Sequence, residues 1–327
     1  MHADSPQIDQ IEQIVADATL TEADWHAMVE EVGDRNGFYE PVGDDHFALF
    51  NDNSPTLLVT FETVDAIRAE DPAALPLGQQ VATARGWSSL TLVARSRTWF
   101  RDGSVHAFFD RLVDEAFFEE FDRVVFFGAG MCGYAAAAYS VTAPGATVLL
   151  VAPQATLDPS RAGWDPRFAR HRRLCFTDRY GYAPDMIEGA GPVFVVYDPR
   201  ESLDAMHAAL FARPFVTRLA CRGAGEGIAG MLDRLEITRE MLQLAAEGRF
   251  TAAVFWQLWR ARRGDPRYLG DLVTRLGNHG AVWRAALVCR NAVARLRVPR
   301  LATSLAQLDQ LLEDEGRPLP RRRRQPA

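Results

Sequence analysis

The chain has 327 residues, of which 48% are apolar, and this suffices for one large domain with a sizeable buried core and an appendage. Its net charge of −7 gives no electrostatic reason to expect binding to nucleic acid, which requires a basic face. No lysine occurs in the sequence. A Schiff base to pyridoxal phosphate and a P-loop lysine on a phosphate are therefore both excluded.

The cysteines and the N-terminus limit the cellular setting. Cys132, Cys175, Cys221 and Cys289 are widely spaced and form no C-x-x-C pair, which argues against a structural zinc site and a disulfide scaffold. Residues 1–10 are polar, and no apolar run reaches the roughly eighteen residues that a membrane span needs. We therefore expect a cytoplasmic protein without a metal, a cofactor or a membrane span.

Four segments are predicted along the chain. Residues 1–45 form a helical lead-in, in which Thr21 is the expected N-cap of a capping box. Residues 46–236 form an α/β domain, residues 237–316 a helical extension, and residues 317–327 a disordered basic tail.

The α/β segment alternates between strand and helix patterns. Its strand candidates are residues 46–50, 56–61, 90–94, 123–127, 147–152, 192–197 and 216–221. The first two candidates are predicted to pair as a hairpin. Unbroken apolar runs at 124–127 and 148–151 are typical of parallel strands that are covered on both faces. The predicted fold is a doubly wound, mostly parallel α/β sheet, which binds ligands at the carboxyl ends of its strands.

Beyond residue 237 the apolar residues follow helical periodicity without strands. Breaks at Gly248, 264–266 and 277–280 predict three or four helices packed as antiparallel hairpins. Paired helices of this length are similar to tetratricopeptide-like repeats, although no full repeat consensus is present. Two roles remain open for them: a cover over one edge of the sheet, or a docking surface for a protein partner.

The most informative stretch is Val-Val-Phe-Phe-Gly-Ala-Gly-Met-Cys-Gly-Tyr-Ala-Ala at residues 124–136. A buried strand runs into a glycine-rich turn and then directly into an alanine-rich helix. This resembles the G-x-S-x-G nucleophile elbow of the α/β-hydrolase superfamily, where the attacking residue sits in a strained turn with its side chain exposed.

The closer resemblance is to the G-A-S-M-G-G-Y-A-A elbow of esterase-like proteins from bacterial glycan-biosynthesis clusters. Those proteins carry an S-P-Q motif after the next strand, and here Pro153 and Gln154 follow Ala152. The resemblance covers roughly residues 45–235. It implies an α/β-hydrolase fold and does not explain the C-terminal helices.

The resemblance also implies that the catalytic residues are replaced. Gly130 stands at the nucleophile position, where a glycine has no side chain to attack with. The acid of the triad is expected after the strand at 192–197, so Asp198 and Asp204 are candidates. The histidine is expected in the turn after the last strand, where the sequence has Glu226 instead.

The backbone of the elbow is expected to keep its capacity to bind an anionic or carbonyl oxygen. The donors would be the N–H groups of Met131 and of the turn after the second strand. The predicted pocket consists of Phe61, Glu62, Thr63, Gly128, Met131, Pro153 and Gln154.

Two further residues allow alternative interpretations. Cys132 is either a displaced thiol nucleophile at a helix N-terminus or a small buried residue in place of a glycine. His207 is either a general base or a hydrogen-bonded helix residue. Residues 164–167 are a candidate lid segment.

Three hypotheses of function follow. The favoured one is a catalytically degenerate α/β-hydrolase-fold protein that acts by binding or scaffolding in glycan or surface-polysaccharide metabolism, with an unidentified small-molecule ligand. The second is an active hydrolase or acyltransferase that uses Cys132, or a water activated by Glu226 or Asp198. The third follows from similar bacterial proteins that are labelled phosphoadenosine-phosphosulfate reductases. The S-G-G-x-D-S loop and the C-terminal catalytic cysteine motif of that family are absent, and Cys289 falls in a predicted helix.

Overall fold

The computed structural model describes residues 20–69 and 71–320. The chain divides into two compact units. The first comprises Met1–Gly230 and Thr238–Phe250, and the second comprises Met231–Ile237 and Thr251–Ala327. The polar N-terminus, the first part of the predicted helical lead-in, and residues 321–327 of the predicted basic tail lie outside the described residues.

The first unit is built on one eight-stranded sheet. Its strands are β1 (Gly37–Val42), β2 (His46–Asn51), β3 (Thr56–Thr63), β4 (Ser88–Ala94), β5 (Arg123–Ala129), β6 (Thr147–Val151), β7 (Val193–Tyr197) and β8 (Val216–Ala220). They are arranged in the order β1-β2-β4-β3-β5-β6-β7-β8. β2 runs antiparallel to β1 and β4, and every other neighbouring pair is parallel. This is a sheet of α/β-hydrolase type, so the predicted fold class is confirmed.

All seven strand candidates lie in this sheet, but the predicted hairpin is wrong. β2 pairs with β1 and β4, whereas β3 pairs in parallel with β4 and β5. β2 and the middle of β3 are buried. With β4 between them, each of these two strands is hydrogen-bonded to a neighbouring strand on both of its edges. β1 falls within the predicted helical lead-in. It is a half-exposed edge strand that contains Pro41, which an edge position tolerates, and it therefore lacks an apolar run.

The helices of the first unit cover both faces of the sheet. The described α-helices up to Phe250 are α1 (Glu22–Asn36), α2 (Val64–Ile67), α3 (Leu77–Arg85), α4 (Gly103–Asp114), α5 (Met131–Tyr139), α6 (Pro159–Ala162), α7 (Ala183–Met186), α8 (Ser202–Leu210), α9 (Ile228–Arg234) and α10 (Ile237–Ala246). Of these, most of α9 belongs to the second unit. On one face, Trp25 of α1 packs with Phe47 and Leu49 of β2. On the other, Ala48 and Phe50 join the larger core that includes α4 and α5. The alternation along β2 separates the two cores. Thr21 caps α1 as predicted.

The second unit is helical, as predicted for the C-terminal extension. Its main helices are α11 (Ala252–Leu258), α12 (Pro266–Asn278), α13 (Val282–Leu296) and α14 (Pro299–Asp314). Its core includes Leu269, Val273, Ala285, Cys289 and Leu301. Among the residues that the structure describes, no helix has both the length and the apolar character needed to cross a bilayer.

Candidate functional site at the carboxyl edge of the sheet

Gly130 alone forms the sharp turn between β5 and α5, because β5 ends at Ala129 and α5 begins at Met131. Its φ of 56° and ψ of −118° form a combination that residues with a Cβ rarely adopt. The N–H of Gly130 donates to the carbonyl of Val151 at 2.9 Å, and its own carbonyl accepts from the N–H of Tyr134 at 3.0 Å. The apex of the elbow therefore carries no side chain.

The elbow is tight at its base and open at its apex. A Cβ added to Gly128 would lie well inside 3.0 Å of the carbonyl oxygen of Cys132, closer than real Cβ atoms come to other atoms. A Cβ added to Gly130 would have one heavy atom within 4 Å, namely Nε2 of Gln154 at 3.9 Å. The apex therefore has room for at least one added carbon atom.

The segment after β6 places Gln154 over this apex. Ala152 has a positive φ of 43°, and its N–H donates to the carbonyl of Val196 at 2.8 Å. Pro153 is buried, and the backbone N–H of Gln154 lies 3.4 Å from the carbonyl of Gly130. The side chain of Gln154 is buried, with the residue 4% exposed, and within residues 20–69 and 71–320 its Oε1 has no hydrogen-bond partner.

The predicted turn after Phe61 is wrong, because β3 continues through Thr63 and pairs with β4 over these residues. The polar side chains at the end of β3 cap neighbouring helices. The carboxylate of Glu62 accepts the N–H groups of Leu77 at 2.7 Å and of Gly78 at 2.9 Å, and so caps α3. The hydroxyl of Thr63 caps α2 in the same way, and Phe61 is buried in the main core. The side chains of this part of the predicted pocket are therefore held by backbone and core contacts.

Cys132 lies in the first turn of α5 and is buried, with the residue 8% exposed. Burial raises the pKa of its thiol well above the usual range, and the negative charge of Glu62 raises it further. A thiol nucleophile requires the opposite shift, because the thiolate is the reactive form. Geometry and electrostatics both favour the packing role over the nucleophilic one.

We expect alkylation to distinguish the exposed Cys175 from the three buried cysteines. Cys175 is exposed, and hydrogen bonds from the backbone and side chain of Thr177 lower the pKa of its thiol. Iodoacetamide at neutral pH should modify Cys175 alone in the folded protein, and Cys132, Cys221 and Cys289 only after denaturation. Peptide mapping by mass spectrometry measures this. Alkylation of Cys132 in the folded protein would instead favour its role as a nucleophile.

Asp198 follows β7, as expected for the acid of a triad, but it binds backbone groups. It is 1% exposed, and its Oδ2 accepts the N–H groups of Gly223 and Gly225, each at 2.8 Å. Its Oδ1 accepts the N–H of Arg200 at 2.9 Å. The turn after β8 is thus folded onto the carboxylate where a triad would have a histidine, and Glu226 in that turn is exposed.

Glu201 is a further acidic residue near Asp198, and the sequence analysis did not identify it. It stands at the N-cap of α8. Burial raises its pKa, and the negative charges of Asp198, Glu226 and Asp204 raise it further. Its position three residues after the expected acid was the available signal. Negative charge therefore outweighs the opposing charge of Arg167 around the N-terminus of α8.

His207 makes hydrogen bonds with both of its ring nitrogens. Its Nδ1 accepts the backbone N–H of Ala155 at 3.1 Å, so the ring proton is on Nε2 and is donated to Asp165 at 3.0 Å. The residue is fully buried, and burial lowers its pKa. Because neither nitrogen is available to a substrate, the arrangement supports the hydrogen-bonded role over the general base.

Arg167 joins the same network and ties Asp204 into it. Its Nη2 donates to Asp165 at 2.8 Å and its Nη1 to Asp204 at 2.7 Å. Burial alone would raise the pKa of Asp165, but hydrogen bonds from Arg167 and His207 hold it below its usual range. The ring of Trp164 lies over that of His207, with centroids 4.6 Å apart. We call these five residues the lid clamp, because they fasten the segment between β6 and β7 to α8.

A groove of about 950 Å³ lies at the opposite edge of the sheet. It is lined by the amino-terminal ends of β5 and β6, at Arg123 and Thr147, and by Phe118 and Phe121. It is therefore separate from the elbow.

No protein-family model and no curated protein matches the chain. Among solved structures, the capsule O-acetyltransferase of Neisseria meningitidis serogroup A is similar at 13% identity over 65% of this chain and 100% of that chain, with a TM-score of 0.41. Est1E from Butyrivibrio proteoclasticus is similar at 12% identity over 64% of this chain and 98% of that chain, with a TM-score of 0.40. The Glycosylation Associate Protein (Gap123) complex from Streptococcus agalactiae is similar at 12% identity over 61% of this chain and 44% of that chain, also with a TM-score of 0.40.

Proposed function

We propose that this protein is a catalytically inactive member of the α/β-hydrolase fold class that acts by binding or scaffolding. It holds a small ligand at the vacated elbow, and its C-terminal helices dock a protein partner. In line with the resemblance of its elbow sequence, we place this role in glycan or surface-polysaccharide metabolism.

The observation that carries the proposal is the empty apex of the elbow. Gly130 has the backbone conformation of a nucleophile and no atom that could attack. Two further residues support the proposal. The carboxylate of Asp198 accepts hydrogen bonds from backbone N–H groups, and both ring nitrogens of His207 are hydrogen-bonded within the protein. Loss of either nucleophile or base removes most of the contribution of a triad, since its members act as a unit.

The other two hypotheses receive less support. An active site rewired around Cys132 would use a buried thiol whose pKa is raised. Sulfonucleotide reduction would need a reactive C-terminal cysteine, whereas Cys289 is buried in the core of the helical unit. A water activated by Asp198 or Glu226 is the remaining route to hydrolysis, and an activity assay distinguishes it.

The distribution of charge supports docking through the C-terminal helices. Residues 1–250 carry twenty-one arginines and thirty-seven acidic residues, whereas residues 251–327 carry fifteen arginines and six acidic residues. Trp256 and Trp283 are 40% and 38% exposed in this basic unit. Tryptophan and arginine are the residues that most often dominate binding energy at protein interfaces.

A paired assay tests the absence of catalysis. Wild-type protein and Gly130→Ser should both remain unlabelled by a fluorophosphonate probe. In the presence of either protein, p-nitrophenyl butyrate should hydrolyse no faster than it does in buffer alone. The added serine has room at the apex but no base to activate it. An active serine esterase treated in parallel shows that the probe works. Wild-type hydrolysis that disappears in Asp198→Asn, or after thiol alkylation, would refute the proposal and favour a rewired enzyme.

A further inference from the structure

The vacated apex offers a ligand both hydrogen-bond donors and an acceptor. The N–H of Met131 begins the nine-residue helix α5 and has no carbonyl partner within that helix. Nε2 of Gln154 lies 3.9 Å from the position that a Cβ of Gly130 would take. Oε1 of the same amide is buried and has no partner among the described residues.

The unpartnered Oε1 restricts the ligand to groups that can donate a hydrogen bond. A buried acceptor without a partner costs free energy, which a bound donor recovers. A carboxylate or an ester carbonyl accepts only, so neither can satisfy this oxygen. An ammonium group donates only, so it leaves the N–H of Met131 and Nε2 of Gln154 without an acceptor. A hydroxyl group serves both kinds of partner.

The charges around the elbow also disfavour an anion. The carboxylate of Glu62 lies near enough to Cys132, the second residue of α5, to raise the pKa of its thiol. Further along the same edge of the sheet, burial raises the pKa of Glu201, the carboxylates of Asp198, Glu226 and Asp204 raise it further, and Arg167 opposes them. The partial positive charge at the N-terminus of α5 is therefore opposed by the full negative charge of Glu62.

We propose that the elbow binds a hydroxyl group of a neutral, polyhydroxylated small molecule, and that Gln154 forms a hydrogen bond with this hydroxyl group. The inference rests on the proposed function and names its ligand class. The ligand hydroxyl accepts from the N–H of Met131 and donates to the amide oxygen of Gln154. Ala152, with its positive φ, sets the direction of the chain that brings this amide over Gly130.

The test combines binding with stability in the full-length protein and its Gln154→Leu variant. Glucose, mannitol and N-acetylglucosamine are the hydroxyl probes, acetate and inorganic phosphate are the anionic probes, and saturation-transfer NMR titrations report binding. Gln154→Leu should weaken binding of the hydroxyl probes by at least about tenfold. The same variant should raise Tm by about 2–4 °C without ligand, because leucine removes an unpaired buried oxygen.

Gln79→Leu is the matched control. Gln79 is another buried glutamine, but its amide is bonded to Asn51, Ser89 and Thr83. The same substitution there should lower Tm and leave probe binding unchanged.

Three results would overturn the inference. The first is binding of acetate or phosphate in preference to the hydroxyl probes, and the second is no binding of any hydroxyl probe to the wild type. The third is a lower Tm for Gln154→Leu, which would mean that Oε1 already has a partner inside the protein. None of these results involves ester turnover, so they leave the proposed absence of catalysis standing. Conversely, ester turnover by the wild type refutes the proposed function whatever the probes do.

Discussion

Gly128→Ala is expected to lower the free energy of unfolding by about 4 kcal/mol or more. The new methyl group would collide with the backbone of Cys132 and with the amide nitrogen of Gly133. These atoms belong to the first turn of α5, which is buried against the sheet along most of its length. Relief of the collision therefore requires α5 to move away from its core. Urea unfolding followed by circular dichroism measures the loss.

Gly130→Ala provides the comparison, because it is the same substitution two residues away. Its methyl group meets no atom closer than 3.9 Å, so its cost comes only from the positive φ and should be about 1–3 kcal/mol. Equal losses in the two variants would show that conformational strain, and not close packing, makes a glycine necessary at position 128.

Asp165→Ala is expected to cost about 3 kcal/mol, because it leaves the buried Nε2–H of His207 without an acceptor and leaves Arg167 with Asp204 alone. Asp165 is buried and accepts from both His207 and Arg167. The segment between β6 and β7 should also open more often. Limited proteolysis should then cut residues 155–182 in the variant well before it cuts them in the wild type.

Asp185→Ala is the matched control for the clamp. The Asp185–Arg213 ion pair links the same segment to the region that follows α8, at 3.2 Å, but its side chains are 46% and 31% exposed. An exposed pair contributes about 0–1 kcal/mol. If the two variants lose equal stability, the buried clamp is not what holds this segment.

The fold was predictable where apolar runs are unbroken. β5 and β6 need cover on both faces, so their sequences contain almost nothing but apolar residues, and this pattern indicates central parallel strands. Pairing order is a different matter. Nothing in the sequences of β2 and β3 shows that β4 lies between them, because the partner strand comes from a distant part of the chain.

The site was predictable to the level of its backbone. The glycine-rich turn between a buried strand and a helix indicated the elbow, because few other sequences permit so sharp a turn. The partners of the polar side chains were not predictable. His207 and Asp165 are 42 residues apart, and Asp198 binds N–H groups whose direction depends on the positive φ of Gly223 and Gly225. The sequence does not show which side chain a given backbone N–H group will point at.

If the protein is inactive as proposed, the hydrogen bonds of Asp198 to the turn after β8 would make that loss of activity hard to reverse. A serine at the apex and an imidazole in that turn would still lack a free orienting acid, because three backbone N–H groups already bind the carboxylate of Asp198 and two of them occupy its Oδ2. The loop itself would have to be rebuilt. Under the proposed function, no single substitution would therefore restore turnover.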